Sequence, residues 1–409
     1  YEYFVFLQSA ALYPLRVLER TEGKRMIPYG YQSISDADID AVAQVLQSKF
    51  LTQGPKVEEF ERAVSEQVGA LHGVAVNSAT SALHMACLAL GLGPSDWLWT
   101  SPNSFVASAN CALYCGASVD LVDVDPLTYN MCPKALASKL EKAKIRGCLP
   151  KVLVPVHFAG QSCDMAAIGA LAKQYGFSVV EDASHAIGGR WQGLPVGACR
   201  HSDITVFSFH PVKIITTGEG GLLTTNSAQI AERLVELRSH GVIKEPSRLE
   251  RQDQGAWYYE QQSLGFNYRM TDVQAALGAS QLTRLDQFVK RRHQLAARYE
   301  DGLKGLPLTL PWQHPDGYSA FHLYVVQVAD GACLQRRELF DAMRQAGVLV
   351  QVHYIPIHLQ PYYQRLGFTQ GDFPNAETYY ERAISLPLYA GLSDTDQNFV
   401  ITEVRRLLQ

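Results

Sequence analysis

A lysine and an aspartate stand out for the strands that precede them. Lys213 follows an apolar run from Ile204 to Phe209 that carries a hydroxyl at Ser208. After the lysine come Gly218, Gly220 and Gly221, and then a return strand to Thr225. Burial at the mouth of a sheet lowers a lysine's pKa and turns its ammonium into a nucleophilic amine. Asp182 closes a second apolar run, Ser178 to Glu181. If both side chains face one pocket, they form the pair that pyridoxal phosphate chemistry needs. The lysine holds the cofactor's aldehyde as a Schiff base, and the carboxylate keeps the pyridine nitrogen protonated so that the ring accepts a carbanion's electrons. The phosphate needs donors. Ser208 supplies a hydroxyl, and the amides at Ala79-Thr80 open a helix whose dipole favours a dianion. Phe105 or His185 could wall the ring. The plain alternatives are a surface lysine in a loop and an aspartate that only caps a helix at Ala183.

The elements that must position these groups alternate. Strand Val74 to Val76 leads through Asn77-Ser78-Ala79-Thr80-Ser81 into a helix from Ala82 to Leu90. Strands at 97–100, 119–122, 152–156 and 178–181 alternate with helices at 105–114, 133–144 and 165–175. Several of these strands are continuous apolar runs, as expected when both faces are covered. Strand-helix repetition predicts an α/β fold with a mostly parallel sheet, whose ligands sit beyond the carboxyl ends of the strands. Helical spacing also predicts a helix from Ser35, a long helical region from Thr271 to Leu303, and a small C-terminal α+β part. That part has strands at 322–328 and 348–352 and helices at 334–345, 376–383 and 394–408. The expected division is a large domain over 26–270 and a long helix with the small domain over 271–409.

Composition narrows the function class. At 409 residues, 47% hydrophobic and 19% charged, the chain has the make-up of a globular protein with a large core. A net charge of −4 gives no field that favours nucleic acid or an anionic membrane, and neither is expected as a partner. The eight cysteines contain no CxxC pair, which predicts free thiols, a reducing cytoplasmic setting and no metal clip. Residues 1–18 are apolar and aromatic. Their charge follows rather than precedes, unlike a signal peptide, and the run is too short for a membrane span. Residues 1–25 are therefore expected to be an extension outside the native fold, with Met26 as the natural start.

Several stretches together resemble a known family. They are Val76-Asn77-Ser78-Ala79-Thr80-Ser81-Ala82-Leu83, Glu181-Asp182-Ala183-Ser184-His185-Ala186, Ser208-Phe209-His210-Pro211-Val212-Lys213, Thr217-Gly218-Glu219-Gly220-Gly221 and Gly265-Phe266-Asn267-Tyr268-Arg269-Met270-Thr271. In order and over the chain from Ile27 onward, they resemble the fold-type I, pyridoxal 5'-phosphate-dependent aminotransferases of nucleotide-linked keto-sugars. Within that family, Ser48-Lys49-Phe50-Leu51-Thr52-Gln53-Gly54 and Gln351-Val352-His353-Tyr354-Ile355-Pro356 look most like the transaminases of pseudaminic acid synthesis. These make UDP-4-amino-4,6-dideoxy-N-acetyl-β-L-altrosamine from UDP-2-acetamido-2,6-dideoxy-β-L-arabino-hexos-4-ulose, with L-glutamate as amino donor.

The resemblance implies roles residue by residue. Lys213 is the Schiff-base lysine and Asp182 the partner of the pyridine nitrogen. Ser208, Ala79 and Thr80 hold the phosphate, and Phe105 stacks on the ring. His185 stands where many relatives have Gln, and it adds a titratable group there. Asn267 matches a phosphate contact made from the neighbouring subunit, which implies a homodimer with shared sites. Tyr29, Lys49, Phe50, Leu51 and Thr52 match the segment near the sugar nucleotide. Gln351, His353 and Tyr354 match a C-terminal segment that reaches the same cleft.

Other readings stay open at this stage. Phe105 could be core, Asn267 could shape a turn, and Trp257-Tyr258-Tyr259 could be an interface or a lid. His157 and His201 read as structural or solvated, and no metal site is expected at His353 and His358, which have no acidic partner close by. A related sugar dehydratase would, by the same resemblance, carry His in place of Lys213. A non-catalytic pyridoxal-phosphate-binding regulator would need an added partner domain. A transaminase for a different UDP- or dTDP-keto-sugar is the alternative that sequence excludes least.

Overall fold

Apolar strands buried on both faces make the centre of the structure, a computed structural model that describes residues 26–251 and 253–409. The expected extension at 1–25 lies outside the described residues. In chain order the strands of the main sheet are β1 (His72–Val76), β2 (Trp97–Thr100), β3 (Ser118–Leu121), β4 (Val152–Val154), β5 (Ser178–Asp182), β6 (Ile204–Ser208) and β7 (Gly221–Thr225). They pair in the order β1-β7-β6-β5-β4-β2-β3. β7 runs antiparallel to both neighbours, and the remaining pairings are parallel. The sheet is thus mostly parallel, as predicted. Every residue of β6 and β7 is buried, which explains why these strands carry no alternation of polar side chains.

The helices are α1 (Asp36–Leu46), α2 (Pro55–Val68), α3 (Ala79–Ala89), α4 (Ala107–Tyr114), α5 (Pro133–Arg146), α6 (Met165–Tyr175), α7 (Ala228–Arg238), α8 (Asp272–Leu282) and α9 (Leu285–Leu303). The expected long helical region is two helices. Thr283 turns its hydroxyl back to the Ser280 carbonyl at 2.7 Å, and Arg284 leaves helical geometry to reach buried Asp38 at the start of α1. Asp38 also accepts from Ser280 and Gln281, so the α8–α9 corner is tied to α1 by one carboxylate. The break between the two helices thus falls where Arg284 is drawn to Asp38 from a distant part of the chain.

A second core gathers around α9 and the C-terminal elements. Its sheet pairs β8 (Tyr324–Val328) with β9 (Ala383–Leu386), antiparallel. Residues 383–386 extend the sequence that follows a helix at Pro374–Arg382, so the helix predicted through Ala383 ends one residue early and gives way to a strand. The strand expected over 348–352 is shorter, and Val348–Leu349 pairs in parallel with Ile27–Pro28. Ile27 belongs to this second core, so the first described residues cross the molecule to join the last ones. Among the described residues, no helix is long and apolar enough to cross a membrane.

Candidate active site

The carboxyl ends of the strands assemble the pocket. Asp182 and Val206 face one another across β5 and β6, two residues before Ser208. On the other side of β6, Gly221 opens β7 opposite both Ser208 and Val76. A Cβ on Gly221 would stand 2.6 Å from the Ser78 carbonyl carbon and 2.7 Å from the Ala79 nitrogen. Glycine is required there because the first turn of α3 packs onto the backbone of β7. That contact brings the start of α3, with Ala79 and Thr80, beside Ser208. Ser78 caps the helix through its hydroxyl on the Ser81 amide at 3.1 Å. A capped helix opening next to a serine hydroxyl is a seat for a phosphate dianion.

Between β6 and β7 the chain turns through Lys213. Phe209 N–H donates to the Gly220 carbonyl, and Thr217 N–H donates to the Phe209 carbonyl, which closes the loop at its base. Thr216 adds a hydroxyl bond to the same carbonyl at 2.9 Å. Gly218 takes a φ of +82°, the left-handed conformation that a side chain resists. Burial pulls the Lys213 ammonium down to about 8, and the Asp182 carboxylate partly opposes the fall. The amine is therefore close to its neutral, nucleophilic form near physiological pH.

Asp182 is buried and held at both oxygens. Ser108, on the first turn of α4, donates its hydroxyl to Oδ2 at 2.6 Å, and the Ser184 amide donates to Oδ1 at 3.1 Å. The second bond closes a turn, and no helix starts here, so the helix-cap alternative does not apply. His185 and His322 sit beyond it, with ring centroids 4.3 Å apart. Burial, Lys213 and His353 push the His185 imidazole well below the usual histidine range. The same surroundings, with Arg292 added, hold His322 low as well, and burial and Lys213 bring His353 to about 3. The histidines around the lysine sit below their usual range chiefly because burial disfavours a charged imidazole, and Lys213 adds to the effect.

The chain matches the DegT/DnrJ/EryC1/StrS aminotransferase family over residues 32–405. It belongs to that family. It is 42% identical to the spore coat polysaccharide biosynthesis protein SpsC of Bacillus subtilis, over 94% of this chain and 97% of that protein. To a UDP-4-amino-4,6-dideoxy-N-acetyl-beta-L-altrosamine transaminase of Campylobacter jejuni it is 37% identical, over 92% and 96%. Among solved structures, Helicobacter pylori PseC, an aminotransferase involved in the biosynthesis of pseudoaminic acid, superposes with a TM-score of 0.85. That match has 31% identity and covers 94% of this chain and 99% of the other. The protein is thus a pyridoxal-phosphate-dependent nucleotide-sugar aminotransferase with a fold-type I architecture.

The residues present fit the aminotransferase cofactor. The α3 cradle, the Ser208 hydroxyl, the paired Asp182 carboxylate and the depressed Lys213 amine converge on one rim, and buried His185 Nδ1 has no hydrogen-bond partner. Phe105 is exposed, and its ring lies 6.2 Å from that of Tyr354, so it edges the pocket rather than filling the core. Tyr354 in turn reaches His185 Nε2 with its hydroxyl at 3.0 Å. Tyr29 packs on His353 at 5.1 Å between centroids, and His353 Nδ1 meets the Ser385 hydroxyl at 2.8 Å. Gln351 turns to its own neighbour, with its side-chain oxygen accepting from the Val352 amide.

Lys49, Phe50, Leu51 and Thr52 are all exposed. Among the described residues, no hydrogen bond or ring contact ties this stretch to Lys213, Asp182 or His185. It is pinned at its end, where Asp272 accepts from the Gly54 and Lys56 amides and donates its own amide to the Leu51 carbonyl. Asn267 is exposed, its backbone bridged to Ser239. His358 is paired with Glu377 at 2.8 Å, and His157 with Glu181 at 2.7 Å. The first pairing corrects the expectation that no acidic group stands near His358.

Sequence reasoning missed Ser108, His322 and Arg292. Ser108 carried a usable signal, since Ser104 and Ser108 lie one turn apart after β2, and their hydroxyls meet at 2.7 Å. His322 and Arg292 are brought in by tertiary packing alone. Arg292 is buried and its Nη1 donates to the carbonyls of Phe321, His322 and Leu388 at 2.9–3.2 Å.

Proposed function

We propose that this aminotransferase converts UDP-2-acetamido-2,6-dideoxy-β-L-arabino-hexos-4-ulose to UDP-4-amino-4,6-dideoxy-N-acetyl-β-L-altrosamine with L-glutamate as donor, for pseudaminic acid synthesis. The observation that carries the chemistry is the meeting of Lys213, Asp182, Ser208 and the start of α3 at one rim of the sheet. The sugar assignment draws on the relative of that printed activity at 37% identity over nearly the whole chain.

Pyridoxal phosphate, when bound, supplies an aldehyde that carries the amino group and a ring that accepts the electrons of the neighbouring carbanion. In this reading Lys213 would hold that aldehyde, and its amine, when free, would take the proton from the glutamate α-carbon. Asp182, braced by Ser108, keeps a proton on the ring nitrogen. Ser208 and the amides of Ala79 and Thr80 hold the phosphate. Phe105 and His185 border the ring, and Asn267 serves the neighbouring subunit's phosphate in a homodimer with shared sites. Tyr29, Lys49, Phe50, Leu51 and Thr52, with Gln351, His353 and Tyr354, take the sugar nucleotide. Residues 26–270 form the large cofactor domain, and 271–409 the long helix and the small C-terminal α+β domain. The free cysteines suit a cytoplasmic enzyme.

A different keto-sugar is the second reading, favoured by the 42% identity to a protein named for spore coat polysaccharide synthesis. A panel of UDP- and dTDP-linked 3- and 4-keto-sugars, incubated with glutamate and followed by 2-oxoglutarate release and product mass, decides between them. Amination of the UDP-linked 4-keto sugar is expected. Preference for a dTDP-linked or 3-keto sugar overturns the assignment and leaves the reaction class intact.

A further inference from the structure

His185 poses a problem of proton placement. It is 5% exposed, its Nε2 lies 3.0 Å from the Tyr354 hydroxyl, and its Nδ1 is buried without a partner. A neutral imidazole has one proton, so one nitrogen donates and the other accepts. The groups facing it are Lys213 and His353, the His322 ring and the Tyr354 ring, with Asp182 beyond Tyr354. Burial, with Lys213 and His353 adding to it, pushes the ring well below the usual histidine range and so toward its neutral form. Burial, with Tyr29 and Asp182, raises the Tyr354 phenol well above its usual range, so it keeps its proton. Among the described residues, the Tyr354 hydroxyl bonds only to His185. Were the proton on Nε2, the phenol's own proton would find no acceptor there. The arrangement that uses both is a phenol donating to Nε2, with the imidazole proton on Nδ1.

We propose that Tyr354 is a positioning residue for the bound cofactor: its hydroxyl fixes His185 as the Nδ1–H tautomer, so that the histidine offers one neutral donor. The inference rests on the reading of this pocket as the pyridoxal phosphate site. In that tautomer His185 offers one neutral N–H donor, as a carboxamide at this position would. The substitution of an ionisable ring for an amide is thereby made neutral in charge. A donor aimed at an anionic oxygen stabilises the anion and lowers the proton affinity of whatever shares its charge.

The test is a pH titration of the visible absorbance of the full-length protein saturated with pyridoxal phosphate. Tyr354→Phe is expected to raise the midpoint by about half a unit to one unit, the size of a lost hydrogen bond to a charged acceptor. His185→Gln is expected to keep the midpoint of the parent. Adding Tyr354→Phe to His185→Gln is expected to move nothing, because the tyrosine acts through the histidine. An unmoved midpoint in Tyr354→Phe overturns the proposal, as does an equal shift in both backgrounds. No visible band in the parent protein overturns instead the cofactor reading beneath it. Should Tyr354→Phe fail to bind the cofactor, the ring 15N shifts of His185 in the parent protein decide the matter. Protonation at Nδ1 is expected, and protonation at Nε2 overturns the proposal.

Discussion

Lys213 is useful to the enzyme as a neutral amine, and its charged form is the one that costs the empty fold stability. Its amine titrates near 8 in the folded chain, below the 10.5 of a free lysine, because burial outweighs the pull of Asp182. The folded chain therefore binds fewer protons than the unfolded one between those values, and its stability rises with pH through that window. Below about 8 the penalty is present in full. Lys213→Met should abolish the cofactor's visible band and turnover, and yet stabilise the cofactor-free protein at pH 7. The gain is expected to be roughly 2 kcal/mol after allowance for partial exposure, closing as pH rises through the window. Chemical denaturation of both proteins across the pH range measures it, and a gap that widens with pH contradicts the assignment. Ser108→Ala strips Asp182 of a 2.6 Å donor. It is expected to retain the cofactor but lose about tenfold or more in turnover, since a hydrogen bond to a charged group is worth about 1.5–3 kcal/mol.

The elements matter through two contacts that no side chain advertises. The first turn of α3 lies on Gly221. Gly221→Ala should displace that turn from Ser208, weaken pyridoxal phosphate binding and lower stability by about 1–3 kcal/mol. Equilibrium dialysis and thermal melting read the two effects. Arg292 joins α9 to the chain before β8 and to the chain after β9. Arg292→Leu leaves three carbonyls without their donor and is expected to cost about 3 kcal/mol in urea unfolding.

These contacts also mark the limit of what sequence conveys. Strand-helix alternation, with continuous apolar runs in several strands, located β1 to β7, and strand ends located Asp182, Ser208 and Lys213, because burial and loop chemistry leave local traces. The break at Thr283-Arg284 left none, since it depends on Asp38 far away in sequence. The turn of 383–386 from helix to strand depends on the partner strand at 324–328. His322 comes to His185 by the same long-range packing, and its neighbours in sequence say nothing of the pocket.

At the scale of the whole molecule, the exposure of Asn267 and of residues 49–52 suits surfaces that a second copy would complete. In a homodimer with shared sites, Lys213→Ala mixed with Asn267→Ala restores activity that neither homodimer has. One site of each mixed dimer then has both residues intact, so random reassortment should recover about a quarter of the parent's activity. Assay after mixing, dissociation and refolding measures it. No recovery means that each chain completes its own site.

The direction of β7 sets how Lys213 moves. Because that strand alone runs against the sheet, the lysine's loop leaves and re-enters at the same rim, where the Phe209 and Thr217 amides close it. A loop tied at its base has little freedom as a body, and its backbone opens only when the sheet itself does. Amide hydrogen exchange at Phe209 and Thr217 should therefore be as slow as in β6, whether or not the cofactor is present. The travel that catalysis asks of the amine is left to rotation about the side chain's own bonds. That is motion on a timescale of picoseconds to nanoseconds where the side chain is free, far faster than the opening of the rim. The enzyme can thus move its nucleophile without any lid or hinge at this point.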